Sequence, residues 1–328
     1  MRPSPKLKHL SASLVFIVIL VPVVRAETLT YGVDAGIGES DNVTLAPSDK
    51  ISQTIATADM DFAIKEQSRR LDVDAKGNFT YLDYLQNAFG SQFIGRFDGV
   101  AQVALVPERF TWVLQDDYGQ ATLDPFAPVT PTNLENINYV STGPDVSLRL
   151  GGTSFINITA RYARAQYETS PFDSNRLLGS VAWGLDLSPR SNVSLNGNTE
   201  RVRFENTVVN TDFERSSGYG RYELHGARND FAVNLGATTI SQDGTSTTGG
   251  LAKLELTRTL SSAAKLIFSA GHNLTDASTS FSTLQSGTVG TIGTAPSTTG
   301  AVGTAPAALT SNSYTTNYAS VGDRKSVV

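Results

Sequence analysis

The chain has 328 residues, 40% of them hydrophobic and 17% charged, with 31 acidic against 26 basic side chains and no cysteine. The lack of thiols excludes a disulfide framework, a thiolate metal site, a lipoprotein anchor and a cysteine nucleophile. The acidic balance leaves no electrostatic reason to seek nucleic acid.

Residues 1–26 have the layout of an export signal peptide. Arg2, Lys6 and Lys8 lead an apolar run from 14 to 24, and Val24-Arg25-Ala26 supplies a small-residue cleavage site. Cleavage before Glu27 is expected, and it leaves 22 basic residues against 31 acidic ones. Export without disulfides suits a Gram-negative envelope.

Beyond Glu27 no segment sustains a 3.6-residue apolar stripe, whereas alternating runs of about ten residues recur to the end. The first two are 29–37 and 58–64. In the first, the glycines of GVDAGIG (32–38) read as strand positions, because no phosphate-cradling motif followed by a helix is present. The stretch LDVDAKGNFTYLD (71–83) poses a choice. Asp72, Asp74, Gly77 in the sixth place and Asp83 in the twelfth approach a calcium loop, but Lys76 puts an ammonium where the ion needs an oxygen. The same letters alternate apolar and polar from Leu71 to Tyr81, so the strand reading is preferred and no metal site is assigned. Further runs follow at 93–105, 110–114, 144–150, 156–162, 177–187, 193–197, 218–224, 231–239, 252–256 and 266–270.

Between the runs, tight connections at KEQSR (65), VPER (106), GGTS (151), SPRS (188), GARND (226) and TLSSA (259) alternate with longer polar segments. The longer segments are 38–50, 82–91, 116–138, 167–175, 205–211, 242–249 and 275–313. Outer-membrane barrels have short periplasmic turns and longer external loops. The predicted fold is therefore all-β, a transmembrane antiparallel up-and-down β-barrel of at least 14 strands: thirteen before residue 275 and a fourteenth from near Tyr314. With the N-terminus in the periplasm, every tight turn falls on the periplasmic side. Phe110, Phe155, Tyr162, Tyr167, Phe204 and Phe231, near strand ends, are expected in interfacial girdles. The competing architecture is a soluble β-sandwich, whose strands alternate as well.

The last six residues, DRKSVV, are what GAT CGG AAG AGC GTC GTG, the start of a common sequencing adapter, would encode. Residues 323–328 are accordingly expected to be adapter read-through, and 27–322 an incomplete barrel domain.

Alternation also sorts side chains by face. In 177–187, Leu177, Val181, Trp183, Leu185 and Leu187 share one side, while Arg176, Ser180, Ala182 and Asp186 share the other. The polar set, predicted to line the lumen, includes Arg96, Asp98, Arg149, Arg161, Arg176, Asp186, Glu200, Lys253 and Glu255, with Asp72, Asp74 and Lys76. Interleaved signs of this kind select ions weakly, or else form cross-strand pairs that plug the interior. Asp116, Asp117 and Asp124 are candidate cation ligands in the 116–138 loop, although a solvated loop is the simpler reading. The prolines of that loop, Pro125, Pro128 and Pro131, point to one that folds inward or over the mouth. No nucleophile elbow or metalloprotease motif occurs, and the topology sets His225 and His272 near opposite rims, so no enzyme is expected.

Four stretches, GIGESDNVTL (36–45), ERFTWVLQDDYGQ (108–120), DPFAPVTPTNLENINYVSTGPD (124–145) and LIFSAGH (266–272), resemble the porin-like outer-membrane β-barrels of proteobacteria associated with exopolysaccharide and exosortase (PEP-CTERM) systems. The resemblance implies outer-membrane lipid around the chain, small solutes or an exopolysaccharide as cargo, and no catalytic residue or cofactor. The expected function is a porin-like channel or an accessory to exopolysaccharide export. The alternative is a structural or surface-binding barrel with a filled interior.

Overall fold

Period-two alternation becomes a ladder that runs through the molecule. The computed structural model describes residues 28–123, 130–261, 264–276 and 313–325. Its strands are β1 (Thr28–Ser40), β2 (Gln53–Gln67), β3 (Leu71–Tyr84), β4 (Gln92–Val106), β5 (Phe110–Thr122), β6 (Leu134–Leu150) and β7 (Ser154–Tyr167). They continue with β8 (Ser174–Ser188), β9 (Ser191–Phe204), β10 (Phe213–His225), β11 (Asn229–Gln242), β12 (Thr245–Ser261), β13 (Ala264–Asp276) and β14 (Ser313–Lys325). All lie in one antiparallel sheet in chain order, the topology of an up-and-down barrel. Among the described residues β1 and β14 are its edges and do not pair.

The strands outrun the apolar runs that announce them. Expected over 144–150, β6 begins at Leu134, and β9, expected over 193–197, reaches Phe204. Two of the expected long loops are corrected as a result. Asp116 and Asp117 lie inside β5, so the connection is shorter than 116–138, and a 3-10 turn at Pro131–Asn133 leads into β6. Asp124, Pro125 and Pro128 lie outside the described residues. The expected loop 242–249 is a two-residue hairpin, Asp243-Gly244, with φ of 48° and 76°, the pair of positive values that a type I′ turn requires. The stretch 71–83 lies wholly in β3, as the strand reading expected.

Residues opposite one another in register share a face, which makes the two faces explicit. Leu148, Ile156, Trp183, Leu195, Gly220, Leu235 and Ala252 form one row across β6 to β12. On this face sit the large apolar side chains that the strands expose, from Tyr31 and Val33 through Phe93, Leu177 and Trp183 to Leu235. The opposite, polar face holds most of what is buried, and much of that is charged or hydroxylic: Ser141, Ser174, Arg176, Glu200 and Thr238. This distribution is inverted relative to a soluble sandwich, which buries its apolar faces between two sheets.

The apolar face is smoothed by glycine. Phe62 and Phe97 both stand opposite Gly77, and Phe79 opposite Gly95. A Cβ on Gly77 would come within 2.6 Å of the Phe62 ring. Without it the rings lie along the sheet, Phe79 stacked on Phe93 at 5.3 Å and on Phe62 at 6.3 Å.

Candidate functional site: the polar face

All twelve residues predicted to line a lumen fall on the polar face, and nine of them are tied by ion pairs. Arg96 on β4 bonds Asp98 two residues along the same strand, 3.0 Å away. Arg149, which lies over the Phe155 ring at 5.6 Å, pairs with Asp186 across the intervening β7. Arg161 on β7 reaches Asp145 on β6 at 2.7 Å and also donates to the Pro144 carbonyl at 2.9 Å. Lys253 pairs with Glu255 along β12 at 2.8 Å.

The most enclosed group is a triad. Glu200 accepts from Arg176 through one oxygen at 3.0 Å and from Arg215 through the other at 2.5 Å, linking β8, β9 and β10. Side-chain exposure is 5% for Arg176 and 6% for Glu200, so these charges are withdrawn from solvent. Burial here is affordable because each guanidinium meets the carboxylate through a charge-assisted bond. Arg176 Nε and the nearby Ser174 hydroxyl, also buried, have no partner.

Packing closes the polar face where these strands approach the longer connections. Tyr139, Ala163 and Ala165 cluster with Tyr167 and Leu178 over β6 to β8. Val202, Phe213, Ile240 and Leu274 cluster with Phe204 over β9 to β13. Glu135 adds a polar clamp, accepting from the Ser170 amide at 2.8 Å and its hydroxyl at 2.6 Å. Here the sequence expectation of girdle aromatics is corrected. Phe155, Tyr167 and Phe204 face the polar side and pack within it, whereas Phe110, Tyr162 and Phe231 remain on the apolar side. Strand-end position alone does not distinguish the two, since one residue of offset reverses the face.

Asp145, Arg215, Arg221 and Glu223 were not singled out from the sequence, yet they complete the network. Arg221 meets Glu223 at 2.5 Å and Glu255, two strands away, at 3.8 Å. Asp116 and Asp117, expected together in a loop, are adjacent on β5 and therefore point to opposite faces. Asp116 lies on the apolar side opposite Val140, beside Asn138, whose amide reaches its carboxylate at 2.8 Å. No three His, Asp or Glu side chains among the described residues are arranged to hold a metal ion. His225 closes β10 beside Asp230 at 3.2 Å, and His272 lies well along β13 toward its other end, so the two stand apart as expected.

No protein-family model, curated protein or solved structure matches the chain.

Proposed function

We propose that the chain is a porin-like outer-membrane β-barrel that passes small solutes through a path bounded by its polar face. The observation that carries this reading is the oblique course of the apolar band. Followed at right angles to the strands, one row runs Leu29, Ile64, Ala75, Gly99, Asp116, Val140 and Arg164. The next runs Val103, Trp112, Pro144, and ends with Thr199, Ser216, Thr239 and Thr248. Each starts apolar toward one end of the sheet and ends polar toward the opposite end. A flat slab of lipid cutting strands that tilt requires this drift; a sandwich core does not. On β8 the band reaches from Leu177 to Leu187, about 33 Å along the strand and about 25 Å along the normal at a tilt of ~40°, the height of an outer-membrane barrel's apolar belt.

A second reading, a barrel with a filled interior that transports nothing, is favoured by the buried triad and the two clusters on the polar face. The aromatic residues there are packed away, Tyr139 at 7% and Phe213 at 6% exposure, so they offer no stacking surface to a sugar chain. Exopolysaccharide export consequently rests on the family resemblance alone, and small solutes are the better-supported cargo. Planar-bilayer recording of the refolded protein separates the readings. Discrete conductance steps are expected; a protein that inserts yet conducts nothing overturns the pore.

A further inference from the structure

The polar face is not electrically uniform. From β6 to β12 its arginines are engaged: Arg149 with Asp186, Arg161 with Asp145, Arg176 and Arg215 with Glu200, and Arg221 with Glu223. The same face from β1 to β5 is different. It carries Asp34 on β1, Asp59 and Asp61 on β2, and Asp72 and Asp74 on β3. Asp98 and Asp117 follow on β4 and β5. Against these carboxylates stand only Lys65, Lys76 and Arg96.

The register adds an independent observation. Asp34 lies directly opposite Asp59, and Asp98 directly opposite Asp117. Like charges in directly opposed positions destabilise a sheet, and here they occur twice on the wall that lies outside the two buried apolar clusters. Asp34, Asp61 and Asp74 are exposed and Asp59, Asp98 and Asp117 half-buried, Asp98 with Arg96 beside it, in contrast to the occluded Glu200 and Arg176. Opposed carboxylates persist at low cost where water and mobile counter-cations reach them. Since no three of the described carboxylates converge as metal ligands, the effect is a continuous negative field and not a fixed ion site.

We propose that the β1 to β5 wall borders the conducting path and makes it selective for small hydrated cations. The inference rests on the pore reading above and gives it a sign. The packed, charge-paired wall of β6 to β12 supplies rigidity, while the unbalanced wall supplies the field that concentrates cations.

The test is the reversal potential of the refolded protein in a planar bilayer across a tenfold KCl gradient. A cation-to-anion permeability ratio of about 7 is expected, since ~1 kT of mean potential in the path enriches cations and depletes anions by the same Boltzmann factor. Asp34→Asn with Asp59→Asn, combined with Asp98→Asn and Asp117→Asn, should bring the ratio toward one. Because these changes relieve like-charge opposition, the variant should insert at least as well as the parent. Glu214→Gln, on the apolar face, should leave the ratio alone. Conductance with a ratio of one or below overturns the inference while leaving the pore standing. An unchanged ratio in the fourfold variant removes this wall as its source. Absence of conductance in a correctly inserted protein overturns the pore and the selectivity together.

Discussion

At the scale of single residues, the two faces carry ion pairs whose worth differs by solvent access, the Glu200 triad on the polar side and Arg201–Glu214 on the other. Glu200 is enclosed between Arg176 and Arg215, whereas Glu214 meets Arg201 at 2.8 Å with side-chain exposures of 43% and 54%. Neutralising Glu200 leaves two guanidiniums facing one another with their shared carboxylate gone, a loss of about 3 to 5 kcal/mol for a broken buried pair. Glu214→Gln should cost about 1 kcal/mol or less, because water already screens that pair. Urea midpoints after refolding into lipid vesicles measure both; equal losses would mean that the triad is wetter than its burial implies. Period two was enough to place Arg176 and Glu200 on the polar face, since alternation is local. Their shared partner Arg215 was not legible, because the pairing depends on how three strands align in register, and no spacing along the chain encodes that.

At the scale of elements, the strand number and the tight turns were legible and the strand ends were not, for a single physical reason. Alternation contrasts an apolar face with a polar one, and the contrast fades wherever both faces are polar. Toward the 205–212 connection and the neighbouring 243–244 hairpin, the apolar side turns to Thr199, Ser216, Thr239 and Thr248, with Thr239 and Thr248 hydroxyls 2.9 Å apart. Backbone pairing continues there regardless, so β6, β9 and β12 extend past the visible pattern. The Asp243-Gly244 turn was hidden in the same way: its dipeptide is a strong hairpin signal, but the flanking hydroxyl-rich residues lack the apolar rhythm that frames one. Where the contrast is strong it makes a sharp prediction. Val181, 49% exposed, stands among Ile158 and Gly197, while Ala182 stands among Asn157 and Asn196 on the other face. Val181→Arg should cost about 2 to 4 kcal/mol in vesicles if that position lies near the bilayer midplane, and Ala182→Arg much less, since its guanidinium meets polar neighbours and water. Vesicle refolding titrations compare the two, and a larger loss at 182 would reverse the faces.

At the scale of the whole molecule, the distribution of connections sets which end of the sheet faces which compartment. One end is closed by turns of two or three residues, at 68–70, 107–109, 151–153, 189–190 and 226–228. The other carries the longer connections, among them 41–52 and 205–212, where Val208 is 92% exposed, together with the two-residue Asp243-Gly244 hairpin. Outer-membrane barrels keep short turns on the periplasmic side and carry their longer loops outside. The expected export signal would deliver the chain from the inner side, so in the proposed barrel, with β1 starting inward, tight turns lie in the periplasm and the longer connections outside. A protease site inserted after Val208 should be cut on intact cells. One inserted after Pro189, in the two-residue turn between β8 and β9, should be cut only after the outer membrane is opened. Immunoblotting of tagged fragments gives the answer directly, with cleavage of both sites in detergent as proof that each is susceptible. Cutting at Pro189 on intact cells, with Val208 protected, would invert the topology. Cutting at neither site on intact cells but at both after opening the outer membrane would place the chain inside the periplasm. The exposed apolar band would then require a partner other than lipid.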